Sequence, residues 1–307
     1  GMKVFPYFNS LQMFAHHEQI PYENMHAVSV TGRPWHELDR ALLECRPLIG
    51  VLTDHVHTPR AIAKRMMEYH LDKDYTMRVA EHLGNPKKEK IYNIYSIEEI
   101  SEMSFSCPNC VLLMKAPNST QQRPALGIPD TKFVLLNDRA KMITKAPIRV
   151  IDLSLLELHN SRTFWDIGAC TGSVSIEARR QYPHLNIQAF EVREECKDII
   201  RANARLQSAP GIDLHIGNFL NLPIAEDAIV DAVFIGGHGG KLKEIICKVA
   251  SHLDKLKGKI VFNSVSEESN KLFREAVEEN DLKLHSEMNI TVDTNNPITI
   301  LCATGKY

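Results

Sequence analysis

Apolar and polar residues change their period several times along the chain, and each change predicts an element. Residues 8–19 carry Leu11, Phe14 and Ala15 at helical spacing. His26 to Thr31 alternates as a strand does and stops at Gly32. Trp35 to Cys45 returns to helical spacing through Leu38, Ala41, Leu42 and Cys45. Leu48 to Thr53 is a short apolar strand ending at Asp54. Pro59 to Leu71 is a helix, with Thr58 as N-cap and Pro59 at its first position. Thr76 to Glu81, Lys90 to Tyr95 and Val111 to Lys115 read as further strands, so this segment is mixed α and β. Ala116 to Gly127 is polar, carries two prolines and reads as a linker. A helix then runs from Thr144 to about Leu158. Strands 163–167, 186–191, 212–216, 231–235 and 259–264 follow, with helices 173–181, 194–206, 240–254 and 266–279 among them. Two closing strands, 283–291 and 297–304, have no helix between them. This order predicts a doubly wound, mostly parallel α/β sheet of seven strands, its last pair a hairpin with one strand antiparallel.

Composition adds limits. The 307 residues suggest two domains, 1–118 and 128–307, joined by 119–127. The chain is 44% hydrophobic and 24% charged, an ordinary globular balance. A net charge of −2 carries no global basic footprint, so no nucleic-acid partner is expected. No apolar run approaches the length of a membrane span, and the start lacks a basic end followed by a long apolar run. Neither a membrane partner nor a signal peptide is expected. Seven scattered cysteines, an odd count, fit a reducing cytoplasm better than a disulfide scaffold. Cys107 and Cys110 form a CxxC without the second pair that a zinc ribbon needs, and Pro108-Asn109 makes it a turn with two thiols. The histidines, His16, His17, His55 and His57 among them, lack metal-ligand spacing, and no metal is expected.

The chemistry concentrates in TFWDIGACTGSVSIEAR, Thr163 to Arg179. An apolar run ends in Asp166, passes Gly168 and Gly172 and enters a helical pattern: a strand, a tight turn and a helix N-terminus with unpaired N–H groups. About twenty residues on, the run from Asn186 to Phe190 ends in Glu191, placed to reach the two hydroxyls of a ribose. A dinucleotide fingerprint, G-x-G-x-x-G, falls on Gly168, Cys170 and Ser173, so two of its three glycines are missing. The methyltransferase loop, acidic-x-G-x-G-x-G, falls on Asp166, Gly168, Cys170 and Gly172, and three of four match. S-adenosyl-L-methionine (SAM) has no pyrophosphate. The acid and the loop amides would hold its methionine ammonium and carboxylate instead. SAM is the expected cofactor. An NAD oxidoreductase and a turn that binds nothing stay open as alternatives.

Segments HAVSVTGRP, GVLTDHVHTPRAIAKRM, VAEHLGNPKKEKIYNIYSIEEI and NCVLLMK resemble the C-terminal half of a tetrapyrrole methylase domain. The variety they resemble is the C-5 methylating domain of the precorrin-6Y C5,15-methyltransferase family of cobalamin synthesis. That family carries a glycine-rich loop and much of its SAM cleft in an N-terminal half to which nothing here corresponds. The resemblance implies a chain beginning mid-domain, with Phe5 to Ser10 aligned to a PGVSS-like segment, and no full C-5 activity in this piece. By position Leu52-Thr53-Asp54 would be a SAM wall. Asp54 and Arg33 read equally well as ordinary loop charges.

GIPDTKF, MITKAPIR, WDIGACTGSVSIEA, AFEVREECKDIIRANA, GNFLNLP, DAVFIGGHGGKLKEII and NPITILCATGKY resemble the C-15 methylating and decarboxylating domain of the same family, over about residues 126–307. The resemblance implies a class I SAM-methyltransferase fold acting on a precorrin tetrapyrrole, and a homo-oligomer, since the family domain tends to form tetramers. Carried over by position, Thr144 lies near the cofactor, and Gly168, Ala169, Cys170, Thr171 and Gly172 form the cofactor loop. Glu191 takes the ribose, and Asn218 and Phe219 face the adenine. Cys170 stands where the family has glycine, which implies a position not forced to positive φ, or a shifted loop. The segment MNITVDTNNP is shorter than the family's, so substrate recognition by it is not expected.

Ligands of open α/β sheets bind beyond the C-terminal strand ends, which puts Gly236 to Gly240 at the mouth. His238 is the side chain there able to trade a proton, and a substrate with several carboxylates calls for Lys145, Arg149 and Arg193. His238 and Lys145 are the candidate catalytic residues; Gly236 joins the cofactor set. Three other readings compete. A class I methyltransferase acting on RNA or protein would show a basic face or an Asn/Asp-Pro-Pro-Tyr type loop, and GGHGG stands there instead; one acting on another small molecule stays open. A non-catalytic binding module would keep SAM affinity without turnover. The NAD oxidoreductase lacks its glycines.

Overall fold

In the computed structural model, the described residues are 2–3, 8–119, 125–139, 142–293 and 296–306. Phe5 to Tyr7, most of the expected linker, and Thr294-Asn295 lie outside them. The chain divides into two compact units, Gly1–Arg123 and Pro124–Tyr307.

The first unit is a five-stranded sheet in the order β1-β2-β5-β3-β4. Its strands are β1 (His26–Ser29), β2 (Leu48–Leu52), β3 (Tyr75–Glu81), β4 (Lys90–Tyr95) and β5 (Asn109–Lys115). Only β1 and β2 run parallel. Alternation of side chains along the strands makes two cores. One face meets α2 (His36–Leu43), α3 (Pro59–Glu68) and α4 (Ile97–Glu102) through Leu38, Ile62, Met66 and Ile100. The other meets α1 (Ser10–His17) through Leu11, Phe14 and Ala15. Helix α4 is too short to show a helical period, and the periodicity reading passes over it. Its signal is local: Glu99 N–H donates to Ser96 Oγ at 3.1 Å, and Ser96 N–H to Glu99 Oε2 at 2.8 Å, a capping box. Ser96→Ala is expected to lower stability by about 1 kcal/mol, read from the midpoint of urea unfolding.

The second unit is a seven-stranded sheet in the order β11-β12-β10-β9-β6-β7-β8. Its parallel run holds β6 (Thr163–Ile167), β7 (Asn186–Glu191), β8 (Ile212–Ile216), β9 (Ala232–Ile235) and β10 (Lys259–Ser264). Strands β11 (Leu282–Ile290) and β12 (Ile298–Gly305) close it as a hairpin, and β12 runs antiparallel to both neighbours. This is the expected doubly wound plan. From β6 the chain steps outward to β7 and β8, then crosses back to β9 and β10. The switch point lies between β6 and β9, where a crevice opens at the strand C-termini.

Phe164, Ala232, Phe234 and Val261 point to the face covered by α5 (Ala146–Leu155) and α6 (Ser173–Gln181). Trp165, Ile167, Ile235 and Phe262 point to the face of α8 (Leu242–Ala250) and α9 (Glu267–Glu279). Two helices start or stop short of their periodic patterns. Helix α5 ends because Glu157 turns left-handed at φ 48, and α8 starts late because Gly239 and Gly240 do so at φ 53 and 80.

Candidate active site

Twelve of the residues singled out in the sequence line one cleft of about 490 Å³ at the switch point: Thr144, Lys145, Asp166, Gly168, Ala169, Cys170, Thr171, Glu191, Asn218, Phe219, Gly236 and His238. Its size is that of a small-molecule site. Gly172 is the exception. It is buried at φ 73 as the N-cap of α6, and an added Cβ would meet an Ile200 methyl at 3.0 Å. It shapes the turn and packs on α7 (Cys196–Leu206), away from the cleft.

The loop is tighter than its sequence suggests. Gly168 has φ 78, and a Cβ there would lie 2.6 Å from the Gly237 nitrogen. The expectation for Cys170 is corrected: it adopts φ 51, the left-handed conformation that glycine favours. Its N–H donates to Glu191 Oε2 at 2.8 Å, and that charge-assisted bond holds the strained residue. The loop amides are also less available than expected. Gly168 N–H and Ala169 N–H both donate to the Phe190 carbonyl, at 2.8 and 3.1 Å. Asn203 on α7 ties the loop to its surroundings, donating to the Thr171 carbonyl at 2.9 Å and the Val134 carbonyl at 3.0 Å. Its signal in the sequence is a polar residue on the apolar stripe of Cys196, Ile200 and Ala204.

Asp166 is 1% exposed. Its Oδ2 accepts from Ser175 N–H at 3.1 Å and Ser175 Oγ at 2.6 Å. Its Oδ1 is buried without a hydrogen-bond partner among the described residues, as is Thr171 Oγ1. Burial raises the Asp166 pKa to about 6 against the two Ser175 bonds, and Glu191 adds repulsion. Glu191 is 2% exposed, and its Oε1 accepts from Arg193 N–H at 3.0 Å. Phe219 packs edge-on against Trp165 and Phe190, and Asn218 Oδ1 accepts from Leu220 N–H at 3.1 Å.

His238 is half-buried, its Nδ1 accepting from Gly240 N–H at 3.2 Å and its Nε2 lying 3.4 Å from Ser269 Oγ. Burial lowers its pKa, so the ring is neutral at pH 7 with the proton assigned to Nε2. Lys145 lies 3.5 Å from Asp130 Oδ2 at the start of α5. Arg193 is partly exposed at the rim.

Arg149 is not at the mouth, which corrects that expectation. It is fully buried, donates to Asp130 Oδ1 at 2.9 Å and to the carbonyls of Thr144 and Ile128, and lies 3.5 Å from Glu177 Oε2. Phe133 stacks on its guanidinium at 5.1 Å. Ile128, Asp130, Thr144, Lys145, Arg149 and Glu177 are therefore tied into one structural knot. Asp54 in the first unit is likewise a loop-holding acid. It accepts from Gly32 N–H and Val56 N–H, both at 2.8 Å, and from His57 N–H at 2.6 Å, and these bonds keep its carboxyl well below the usual range.

Sequence reasoning missed Asn263 and Lys241, which line the cleft, and Val192 and Val265, apolar residues 63% and 78% exposed on its rim. It also missed Asp152, fully buried on α5, whose Oδ2 accepts from Asn263 Nδ2 at 2.8 Å. Nothing in the hydropathy pattern separates Asp152 from an exposed helical acid.

Strand order, hairpin and switch-point cleft together define a Rossmann-like methyltransferase unit. The chain belongs to the precorrin methyltransferase domain family, whose model matches residues 136–300. A Salmonella typhimurium cobalt-precorrin-6B C(15)-methyltransferase (decarboxylating) is 35% identical over 127 residues, 41% of this chain and 64% of that protein. A decarboxylating precorrin-6Y C(5,15)-methyltransferase of Sinorhizobium sp is 27% identical over 242 residues, 78% of this chain and 56% of that protein. This chain thus spans less than two thirds of the length of either relative. The crystal structure of precorrin-6y C5,15-methyltransferase from Geobacter metallireducens superposes with a TM-score of 0.53 at 33% identity, covering 60% of this chain and all 100% of that one.

Proposed function

We propose that the second unit methylates a precorrin at C-15, with decarboxylation of the ring-C acetate, using SAM held in the switch-point cleft. The observation that carries this is the pairing of a buried, unpartnered Asp166 Oδ1 with a buried Glu191 across a glycine-rich turn, in a chain of this family. An unpartnered buried carboxylate oxygen asks for a donor, and the methionine ammonium is one. Glu191 keeps acceptor capacity for the ribose diol beside its two backbone donors, and Thr144, Ala169, Asn218, Phe219 and Gly236 border the nucleoside. SAM supplies an electrophilic methyl group on a sulfonium. The protein needs no nucleophile for an in-line transfer, and positioning is its main task. Cys170, its thiol pushed up to about 12 by burial, is not a thiolate competitor.

The substrate end of the cleft fits a flat polycarboxylate. Gly237 would meet nothing within 4 Å with a Cβ added, so a macrocycle can approach that backbone. Val192 and Val265 offer apolar lips, and Lys145, Arg193 and Lys241 offer cations for carboxylates. Loss of CO2 uses the conjugated ring as electron sink, and seating the ring in the cleft helps by desolvating the leaving carboxylate. His238 Nε2 is the atom that exchanges a proton with the ring, with the Gly240 N–H on Nδ1 orienting the imidazole.

The first unit is read as the C-terminal half of a tetrapyrrole methylase domain. The alignment with the Sinorhizobium relative is longer than the second unit and so reaches into the first, which supports this reading. The organisation proposed is 1–118, a linker 119–127, and 128–307, assembled as a homo-oligomer in the cytoplasm. The test is incubation with SAM and a C-15-unmethylated precorrin, followed by mass spectrometry. Gain of one methyl with loss of one CO2 is expected; methyl gain without CO2 loss, or no product, would overturn the C-15 assignment.

A further inference from the structure

The cleft wall and the helix behind it carry more unpartnered oxygen than the cofactor reading uses. Asp152 Oδ1, Asp166 Oδ1 and Asn263 Oδ1 are all buried without a hydrogen-bond partner among the described residues. They share one face of the sheet. Asp166 alternates with Phe164 on β6, and Asn263 with Val261 on β10, and both point toward α5, which carries Asp152. Strand β9 runs between them and is followed by Gly236, which raises no side chain there. The cation facing Asp152 is Arg149, which already serves Asp130 and Glu177.

We propose that Asp152 is a positioning residue of the cleft: in the ligand-free chain Asp152 and Asp166 hold one proton between them, Asn263 links Asp152 to the cleft wall, and an ammonium-bearing ligand settling on Asp166 drives that proton into solvent. This rests on the cofactor reading above and adds to it a residue outside the cleft lining and a proton in the binding equilibrium. Two buried carboxylates, of which only Asp152 faces a cation, cannot both be ionised cheaply, and a ligand cation reverses the balance. The groups facing the pair are Arg149 on α5, Ser175 on α6, Glu191 on β7 and Asn263 on β10. Burial first, with repulsion from Asp166, raises Asp152 to about 8; Asp166 sits at about 6. Cys170, pushed up to about 12, stays out of that window, and burial lowers His238 from its ordinary value.

Below the pKa of Asp152 the bound proton opposes the ligand cation, so affinity rises with pH until that proton is already gone. Release of about one proton means about tenfold tighter binding per pH unit, flattening above about pH 8. The experiment is calorimetric titration of the full chain with S-adenosylhomocysteine at pH 7.5, in two buffers of different ionisation enthalpy, with Asp152→Asn beside it. The expected result is release of most of one proton by the wild type and almost none by the variant. Equal release by both, or none by the wild type, would overturn the proposal and leave the cofactor reading intact. Should Asp152→Asn not fold, the wild-type pH profile decides: a flat profile from pH 6 to 8 overturns it. No binding at any pH would overturn this inference and the cofactor reading together.

Discussion

Glu191→Ala is expected to weaken S-adenosylhomocysteine binding about a hundredfold. Two hydrogen bonds from a ribose diol to a carboxylate contribute about 1.5 kcal/mol each, and about 1.4 kcal/mol is tenfold in affinity. The substitution also leaves the N–H groups of Cys170 and Arg193 without their acceptor. The Cys170 bond matters most, because it holds a non-glycine residue at φ 51 in the middle of the loop. Glu191→Gln, which keeps an acceptor oxygen, should fall between the two. Calorimetry measures all three proteins. A loss below threefold in the alanine variant would show that Glu191 shapes the loop without touching the ligand.

Arg149→Met is expected to destabilise the second unit by about 3–5 kcal/mol, the range for removing one partner from a buried charge cluster. The methionine replaces the stem but leaves Glu177 without its cation, Asp130 with Lys145 alone, and the carbonyls of Thr144 and Ile128 without the guanidinium donor. Glu177 is the more exposed to this loss in energetic terms, being fully buried and already the acceptor for Gly127 N–H and Ile128 N–H at 2.8 and 2.9 Å. Urea unfolding followed by a probe in this unit reads the change. A loss under 1 kcal/mol would contradict the role of Arg149 as the buried cation of this cluster.

The second unit was the more legible half in its sequence. Its strands are short, apolar and separated by full helices, and that pattern leaves few topologies open. The final hairpin was visible because no helix separates its strands. What the pattern hid were elements and residues set by tertiary context. Helix α4 has no period to show, and only the Ser96-Glu99 pair marks it. The loop residues Asp166 to Thr171 could be found because a glycine-rich turn is a local feature. Gly172 belongs to the same string but turns inward, a distinction of φ and packing that letters do not carry. Arg149 and Asp152 sit three residues apart on one helix; the first reads as a cation at the mouth, and nothing marks the second. Both are buried, Arg149 among Asp130, Glu177 and two carbonyls and Asp152 against Asn263, partners that lie outside that helix. The cysteine at 170 read as evidence against a left-handed turn; its backbone bond to Glu191, distant in sequence, overrides the local preference.

The most direct test is the stoichiometry of S-adenosylhomocysteine binding to the full chain by calorimetry. One site per chain, removed or strongly weakened by Glu191→Ala, is the result this account predicts, with the cofactor in the switch-point cleft of the second unit. No binding at all would contradict the cofactor reading and with it the methyltransferase function proposed for this chain. Two sites per chain would contradict the assignment of the cofactor to the second unit alone.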